Sequence, residues 1–113
     1  MRYMAKKEAL GVIEEFRKDL EQLRDTYDSG VMMSLNESID GKIACDDVLK
    51  KLSELEKNDN LSDLNKIARV RLYLEERDPD RKQFRYQIRD DIDGVINKYL
   101  PHKTRSLNMK NGH

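Results

Sequence analysis

The sequence predicts an all-α protein, folded as a compact bundle of four or five helices. Three observations support this prediction. Apolar residues recur at alternating spacings of three and four, the pattern of a helix that buries one stripe. Only two prolines and five glycines interrupt the 113 residues, which favours long helices. Charged residues make up 39% of the chain and apolar residues 37%, as expected for a slim core beneath a charged surface.

The first predicted helix runs from about Met4 to Tyr27 and carries the most regular apolar pattern in the chain. A heptad seam of this kind is the stripe with which a helix packs against another helix. Asp28-Ser29-Gly30 is expected to end the helix, because Gly30 can adopt the left-handed conformation of a helix terminus. The seam has six members, at spacings of four, three, four, three and four: Ala9, Ile13, Phe16, Leu20, Leu23 and Tyr27.

A short second helix and a third helix are predicted to follow. The second is expected to end near Asp40-Gly41, and the third is expected to begin after Cys45. Asp46 and Asp47 would then occupy the first turn of the third helix, where the helix dipole favours negative charge. The second helix carries an apolar patch of Val31, Met32, Met33, Leu35 and Ile39. The third carries a buried stripe of Val48, Leu49, Leu52 and Leu55.

Two further helices complete the predicted bundle. Asn60 or Ser62 is expected to cap the fourth helix. Asp78-Pro79 predicts a restart, because Asp78 can cap a helix and Pro79 suits its first position. The fourth helix presents Leu64, Ile67, Ala68, Val70, Leu72 and Leu74, and the fifth presents Phe84, Ile88, Ile92, Val95 and Tyr99 before Pro101.

Domain organisation and setting follow from composition. Residues 1–101 are predicted to form one helical-bundle domain, and residues 102–113 a flexible basic tail. Cys45 is the only cysteine, so an internal disulfide is excluded and a cytoplasmic location is expected. The sequence has no apolar run near the ~20 residues of a spanning helix, so no membrane association is expected.

The balance of charge excludes a global electrostatic pull on nucleic acid or acidic membranes, because 22 basic residues match 22 acidic ones. The two histidines, His102 and His113, both lie in the predicted tail. Cys45 has no histidine near it in sequence and is expected to be a small buried thiol, although a thiol at a helix start can also have a lowered pKa. We therefore expect no enzymatic activity and no cofactor.

Residues 36–47 resemble the calcium-binding loop of an EF-hand. Asn36, Ser38 and Asp40 fall on positions one, three and five, Gly41 falls on the sharp-turn position, and Asp47 ends the loop. The segment departs from the pattern at its ends, where Asn replaces Asp and Asp replaces Glu. A helix–turn–helix joint with Gly41 at the bend also explains these residues. The resemblance implies a degenerate cation site on Asn36, Ser38, Asp40 and Asp47 as a second alternative function.

A basic ridge is predicted on the fifth helix, because Arg81, Arg85 and Arg89 follow one another at four-residue spacing. Arg suits recognition of phosphate and carboxylate groups. Arg89 can instead pair with Asp93, one turn further along. With neighbouring bases, the candidate partner-binding residues are Lys66, Arg69, Arg81, Lys82, Arg85 and Arg89.

The sequence therefore favours a small non-enzymatic protein that binds another protein through a charged helical surface. A regulator, an inhibitor, an immunity protein and an adaptor all fit this description. A nucleic-acid-binding protein that uses the Arg81, Arg85 and Arg89 ridge is the alternative. Met32 and Met33 mark another candidate interaction surface, since Met suits adaptable interfaces. Both a monomer and a homodimer agree with the seam of the first helix.

Overall fold

Four helices account for most of the residues that the computed structural model describes, which are 11–80 and 86–101. They are α1 (Gly11–Ser29), α2 (Leu35–Glu56), α3 (Asp63–Arg77) and α4 (Tyr86–Tyr99). Within these ranges no residue is in a β-strand, so the all-α prediction is confirmed. Ala9, Phe84 and the predicted tail at 102–113 lie outside the described residues.

The four helices pack around one core, and each helix contacts the other three. The most extensive contact is between α1 and α2. The seam of α1 is confirmed, since Phe16 and Leu20 are fully buried and Leu23 packs at the edge of the core. The rings of Phe16 and Tyr99, the latter from α4, are packed edge to face, with 5.6 Å between centroids. Such pairs add to the stabilisation from buried area.

The predicted break at Asp40-Gly41 is wrong, because α2 continues through it for 22 residues. Gly41 is buried, and a Cβ built on it would fall into the ring of Tyr27 on α1. Glycine thus allows α1 and α2 to approach closely, and it does so without bending the helix. Asp46 and Asp47 consequently lie in the middle of α2, away from any helix start.

Short polar contacts begin and end the helices. Ser34 caps α2, its Oγ accepting from the backbone N of Glu37 at 3.1 Å. Ser62 caps α3 in the same way through Asn65 N at 3.2 Å, which confirms one of the two predicted caps. Gly30 follows the end of α1 with a φ of +68°, as its sequence context predicts.

Three tyrosines tie the helices together through carboxylates. The hydroxyl of Tyr27 donates to Asp91 Oδ2 at 2.5 Å, and the hydroxyl of Tyr99 donates to Asp19 Oδ2, both joining α1 to α4. Burial and the carboxylate partner raise the pKa of both tyrosines. The third pair, between Tyr73 and Asp47, joins α3 to α2 with an O–O distance of 2.8 Å. These hydroxyl groups therefore serve structure.

Candidate partner-binding surface

Helix α2 is apolar on two opposite sides. Its inward side is the core face, whose members include Ala44, Cys45, Val48 and Leu52, all fully buried. On its outward side, Leu35, Ile39 and Ile43 follow one another at four-residue spacing, so each is offset from the last by about 40° around the axis. These three side chains are 75%, 46% and 61% exposed. An amphipathic helix with one core face does not need this second apolar row.

Two more exposed apolar residues lie in the loop just before α2. Val31 is 67% exposed and Met32 is 96% exposed. We call these five exposed apolar side chains the α2 stripe: Val31, Met32, Leu35, Ile39 and Ile43. Isolated exposed apolar residues are ordinary, whereas a contiguous group of them is typical of an interaction site.

The loop holds Met32 outward in an unfavourable backbone conformation. Met32 has a φ of +62°, a left-handed conformation that residues other than glycine, asparagine and aspartate rarely adopt. The next residue, Met33, turns the other way and packs against the core. Residues held in such sparsely populated backbone conformations cluster at active sites and ligand-binding segments.

Hydrogen bonds to the end of α1 keep the loop in place. The carbonyl oxygen of Tyr27 accepts from the backbone N of Gly30 at 3.1 Å and from Ser38 Oγ at 2.5 Å. Ser38 lies in the first turns of α2, so this bond joins the two helices across the loop. The loop and the first turns of α2, which carry most of the α2 stripe, are therefore held in place against α1.

Acidic residues predominate around the α2 stripe. Residues 24–46 include two basic and five acidic side chains, a net charge of −3 in a chain whose total is zero. Lys42 Nζ pairs with Asp28 Oδ1 at 2.9 Å, and this hydrogen bond lowers the pKa of Asp28. Arg24 pairs with Asp46, which raises the pKa of the guanidinium. Both basic side chains are thus already bound to carboxylates.

The α2 stripe ends at Ile43, because charged side chains follow it on the same side of the helix. Beyond Ile43, the same side of the helix carries Asp46 and Lys50, both exposed.

On α3, Leu64 and Leu72 are also about half exposed, at 48% and 50%. The buried face of α3 is made by Ile67, Val70 and Leu74, so the predicted apolar face is narrower than expected.

Residues 36–47 do not form the loop that an EF-hand requires, because Asn36, Ser38, Asp40 and Asp47 all lie within the continuous helix α2. Ser38 points to nearly the opposite side of the helix from Asn36 and Asp40, which are each two residues away from it. Asp47 accepts from the Tyr73 hydroxyl and pairs with Arg77 Nε at 2.8 Å. Across the described ranges, no group of three or more His, Cys, Asp or Glu side chains is placed to hold a metal ion.

Of the predicted basic ridge on the fifth helix, only Arg89 lies in the described part of the chain. Arg81, Lys82 and Arg85 lie outside the described residues. Arg89 is only 3% exposed, so the prediction that it lies on an open ridge is wrong. On the helical wheel Arg89 lies about 20° from Ile96, which is fully buried, and this places it beside the core.

The Arg89 guanidinium contacts two carboxylates and one backbone carbonyl, of which the Asp78 groups are buried. Its Nη1 donates to the backbone oxygen of Asp78 at 3.2 Å and to Asp78 Oδ2 at 3.3 Å, and its Nε donates to Asp93 Oδ1 at 3.3 Å. The predicted Arg89–Asp93 pair is confirmed. Asp78 is 1% exposed, so the pair with Arg89 is fully desolvated.

The basic residues of α3 are distributed among different contacts. Of the two predicted partner-binding residues on α3, Lys66 is half-buried and Arg69 is exposed. Arg71 donates to Asn97 Oδ1 at 2.8 Å and to the carbonyl of Leu100. Arg77 is paired with Asp47. Two of these bases therefore hold helices together.

Cys45 is a buried thiol. It is fully buried in the core face of α2, and burial raises its pKa to about 12. The thiol is therefore protonated at neutral pH and a poor nucleophile. Of the two sequence-based expectations for this residue, the buried thiol is confirmed and the lowered pKa is wrong, because Cys45 does not lie at a helix start.

Comparison of the chain with protein-family models, with curated protein sequences and with solved structures finds no match. None of the helices in the described ranges combines the length and hydropathy needed to cross a lipid bilayer. The chain's own geometry is therefore the basis for its proposed function.

The sequence pattern grouped Val31, Met32, Leu35 and Ile39 as one apolar patch but did not include Ile43. The missed signal is that Ile43 extends the four-residue spacing of Leu35 and Ile39.

Proposed function

We propose that this chain is a non-enzymatic protein-binding protein that binds its partner through the α2 stripe. One observation carries the proposal: five large apolar side chains within residues 31–43 are exposed, three of them in one row on α2 and two in the loop before it. Burying such side chains on binding contributes roughly 1.5–3 kcal/mol each when burial is complete. The classes that fit are a regulator, an inhibitor, an immunity protein or an adaptor.

The chemistry of the described residues supports a role without catalysis. The one thiol is buried and protonated. Asp19, Asp47 and Asp91 each accept a tyrosine hydroxyl from another helix, which is a structural use of the carboxylates. A single unpaired cysteine also agrees with a cytoplasmic setting, which forms part of the proposal.

The proposed contact surface is the α2 stripe, whereas the sequence alone favoured the basic ridge. Arg89 forms ion pairs with Asp78 and Asp93 within the fold. Arg71 and Arg77 also make internal contacts, so a nucleic-acid-binding role has less support than protein binding. A second copy of the chain remains one of the occupants that experiment distinguishes.

Changing Ile39→Ser and Ile43→Ser together is expected to abolish partner capture. Loss of two exposed apolar contacts should weaken binding by about 2–4 kcal/mol, or about thirtyfold or more in Kd. The measurement is quantitative mass spectrometry of proteins retained by the tagged full chain from extracts of its own cell. Sedimentation equilibrium of wild type and variant reports self-association through the same surface.

A matched control is available on α3. Leu64→Ser and Leu72→Ser remove two leucines of similar exposure from another helix. Both double variants should keep their helical circular dichroism, since surface substitutions usually change stability by about 0.5 kcal/mol per site. Capture lost only with the α2 change supports the proposal. Equal capture by wild type and both variants would overturn it.

Met32→Gly is expected to separate stability from binding. Glycine adopts a φ of +62° without the steric cost borne by methionine, so the variant should gain up to about 1 kcal/mol of folding free energy. This gain corresponds to roughly 4–8 °C in Tm for a domain of this size. Partner capture should fall, because the most exposed apolar side chain is removed. Val31→Gly is the control variant, and it is expected to give no gain in Tm. A lower Tm for Met32→Gly than for wild type would show that the backbone conformation at Met32 carries no strain.

A further inference from the structure

We infer that the occupant of the α2 stripe is a basic amphipathic helix of another protein. This inference rests on the proposed function and adds the chemistry of the partner. Two independent features lead to it: the spacing of the apolar row and the charge around it.

The spacing of the row favours a helix as the occupant. Leu35, Ile39 and Ile43 form a ridge at four-residue spacing, and such ridges fit the grooves of a second helix that crosses at about −50°. The row is about 12 Å long, from a rise of 1.5 Å per residue over eight residues. Val31 and Met32, in the loop before the start of α2, add two further exposed apolar side chains. An apolar face of two to three helical turns on the partner matches this length.

The surrounding charge favours a basic partner. The segment 24–46 carries a net charge of −3, and its two cations are already paired to Asp28 and Asp46. Asp40, next to Ile39 in the helix, is exposed. Lys and Arg side chains at the border of a docked helix would meet this negative field, which speeds encounter and rejects acidic competitors.

The end of α1 adds to the negative potential. Its last turn contains Asp28 and no basic residue, with Asp25 just before it. Acidic groups at a helix C-terminus are repelled by the helix dipole, and at Asp28 the pair with Lys42 offsets part of this repulsion. Gly30 and the loop with Val31 and Met32 follow directly, so the negative helix end borders the stripe. A cationic partner would offset this repulsion.

Two synthetic peptides test the inference directly. Each is a fluorescent helix-forming 14-mer with leucines at the same positions, one with lysine and the other with glutamate at the polar positions. Fluorescence anisotropy with the full chain is expected to show at least about tenfold tighter binding of the leucine–lysine peptide at low salt. Ile39→Ser with Ile43→Ser should reduce this affinity about tenfold or more, and so should Asp28→Asn with Asp40→Asn.

The control for charge neutralisation is Glu75→Gln with Glu76→Gln, two exposed acids on α3. This variant should bind the leucine–lysine peptide as wild type does. Equal affinity for the two peptides, or binding that survives the Ile39 and Ile43 changes, would overturn the inference. A wild-type dimer that becomes monomeric with those changes would show that a second copy is the occupant and would also overturn it.

Failure of this inference and failure of the proposed function give different results. If the two peptides bind equally while capture from the cell still depends on Ile39 and Ile43, the protein-binding function stands and the partner is not a basic helix. If neither the peptides nor captured proteins depend on those residues, both are wrong.

Discussion

Replacing Arg89 by alanine is expected to lower the free energy of unfolding by about 3–5 kcal/mol, the usual cost of removing one partner from a buried ion pair. The loss arises because Asp78, only 1% exposed, would keep a desolvated carboxylate without its guanidinium partner. The backbone oxygen of Asp78 and the Asp93 carboxylate would each lose a donor as well. Urea unfolding followed by circular dichroism gives the difference directly.

Lys98→Ala is the matched control, on the same helix. Lys98 pairs with Asp19 at 2.8 Å, but its side chain is 62% exposed. Exposed pairs contribute about 0–1 kcal/mol, so this change should have a small effect. Arg89→Lys should fall between the two, because lysine keeps the charge and lacks the planar fork. A loss below about 1 kcal/mol for Arg89→Ala would contradict the buried pair that the structure describes.

Replacing Gly41 by alanine is expected to destabilise the fold by about 2 kcal/mol or more. In most helix interiors this change is favourable by roughly 0.5–1 kcal/mol, because glycine loses more backbone entropy on folding. Here the added methyl would occupy the ring of Tyr27, so α1 and α2 would have to separate. Overpacking of this kind typically costs 1–3 kcal/mol and occasionally more. Thermal unfolding should show a Tm lowered by roughly 8 °C or more.

Gly94→Ala tests the same substitution where space is open. Gly94 lies in α4, is exposed, and a Cβ built there meets no heavy atom within 4 Å. The variant should therefore gain about 0.5–1 kcal/mol from helix propensity. Opposite signs at the two glycines are the expected result. A stabilising effect at both would show that α1 and α2 do not approach as closely at Gly41 as the structure indicates.

The helices themselves could be predicted to a large extent from local patterns. The seam of α1 predicted the burial of Phe16 and Leu20 because a heptad period is visible within one segment. Ser62 and Gly30 marked helix ends through their own side-chain or backbone properties. These signals act over a few residues, so they do not depend on where the rest of the chain lies.

The candidate surface could be predicted only in part. The sequence grouped Val31, Met32, Met33, Leu35 and Ile39 as one apolar patch, but a patch has the same composition whether it faces the core or water. The structure separates Met33, which packs inward, from Met32, which is 96% exposed. The direction of each side chain depends on how α2 is rotated against α1, and the inward face with Cys45 and Val48 sets that rotation.

By itself, then, the sequence determined that the described part of this chain is helical, where α1 ends and α3 begins, and which stripe of α1 is buried. Only the tertiary structure decided that α2 runs unbroken through Gly41, that Arg89 is buried, and that the α2 stripe is exposed. The physical reason is the range of the interactions. Periodicity and capping act between residues a turn apart, whereas Gly41 depends on the ring of Tyr27 and Arg89 depends on the carboxylate of Asp78 in another segment.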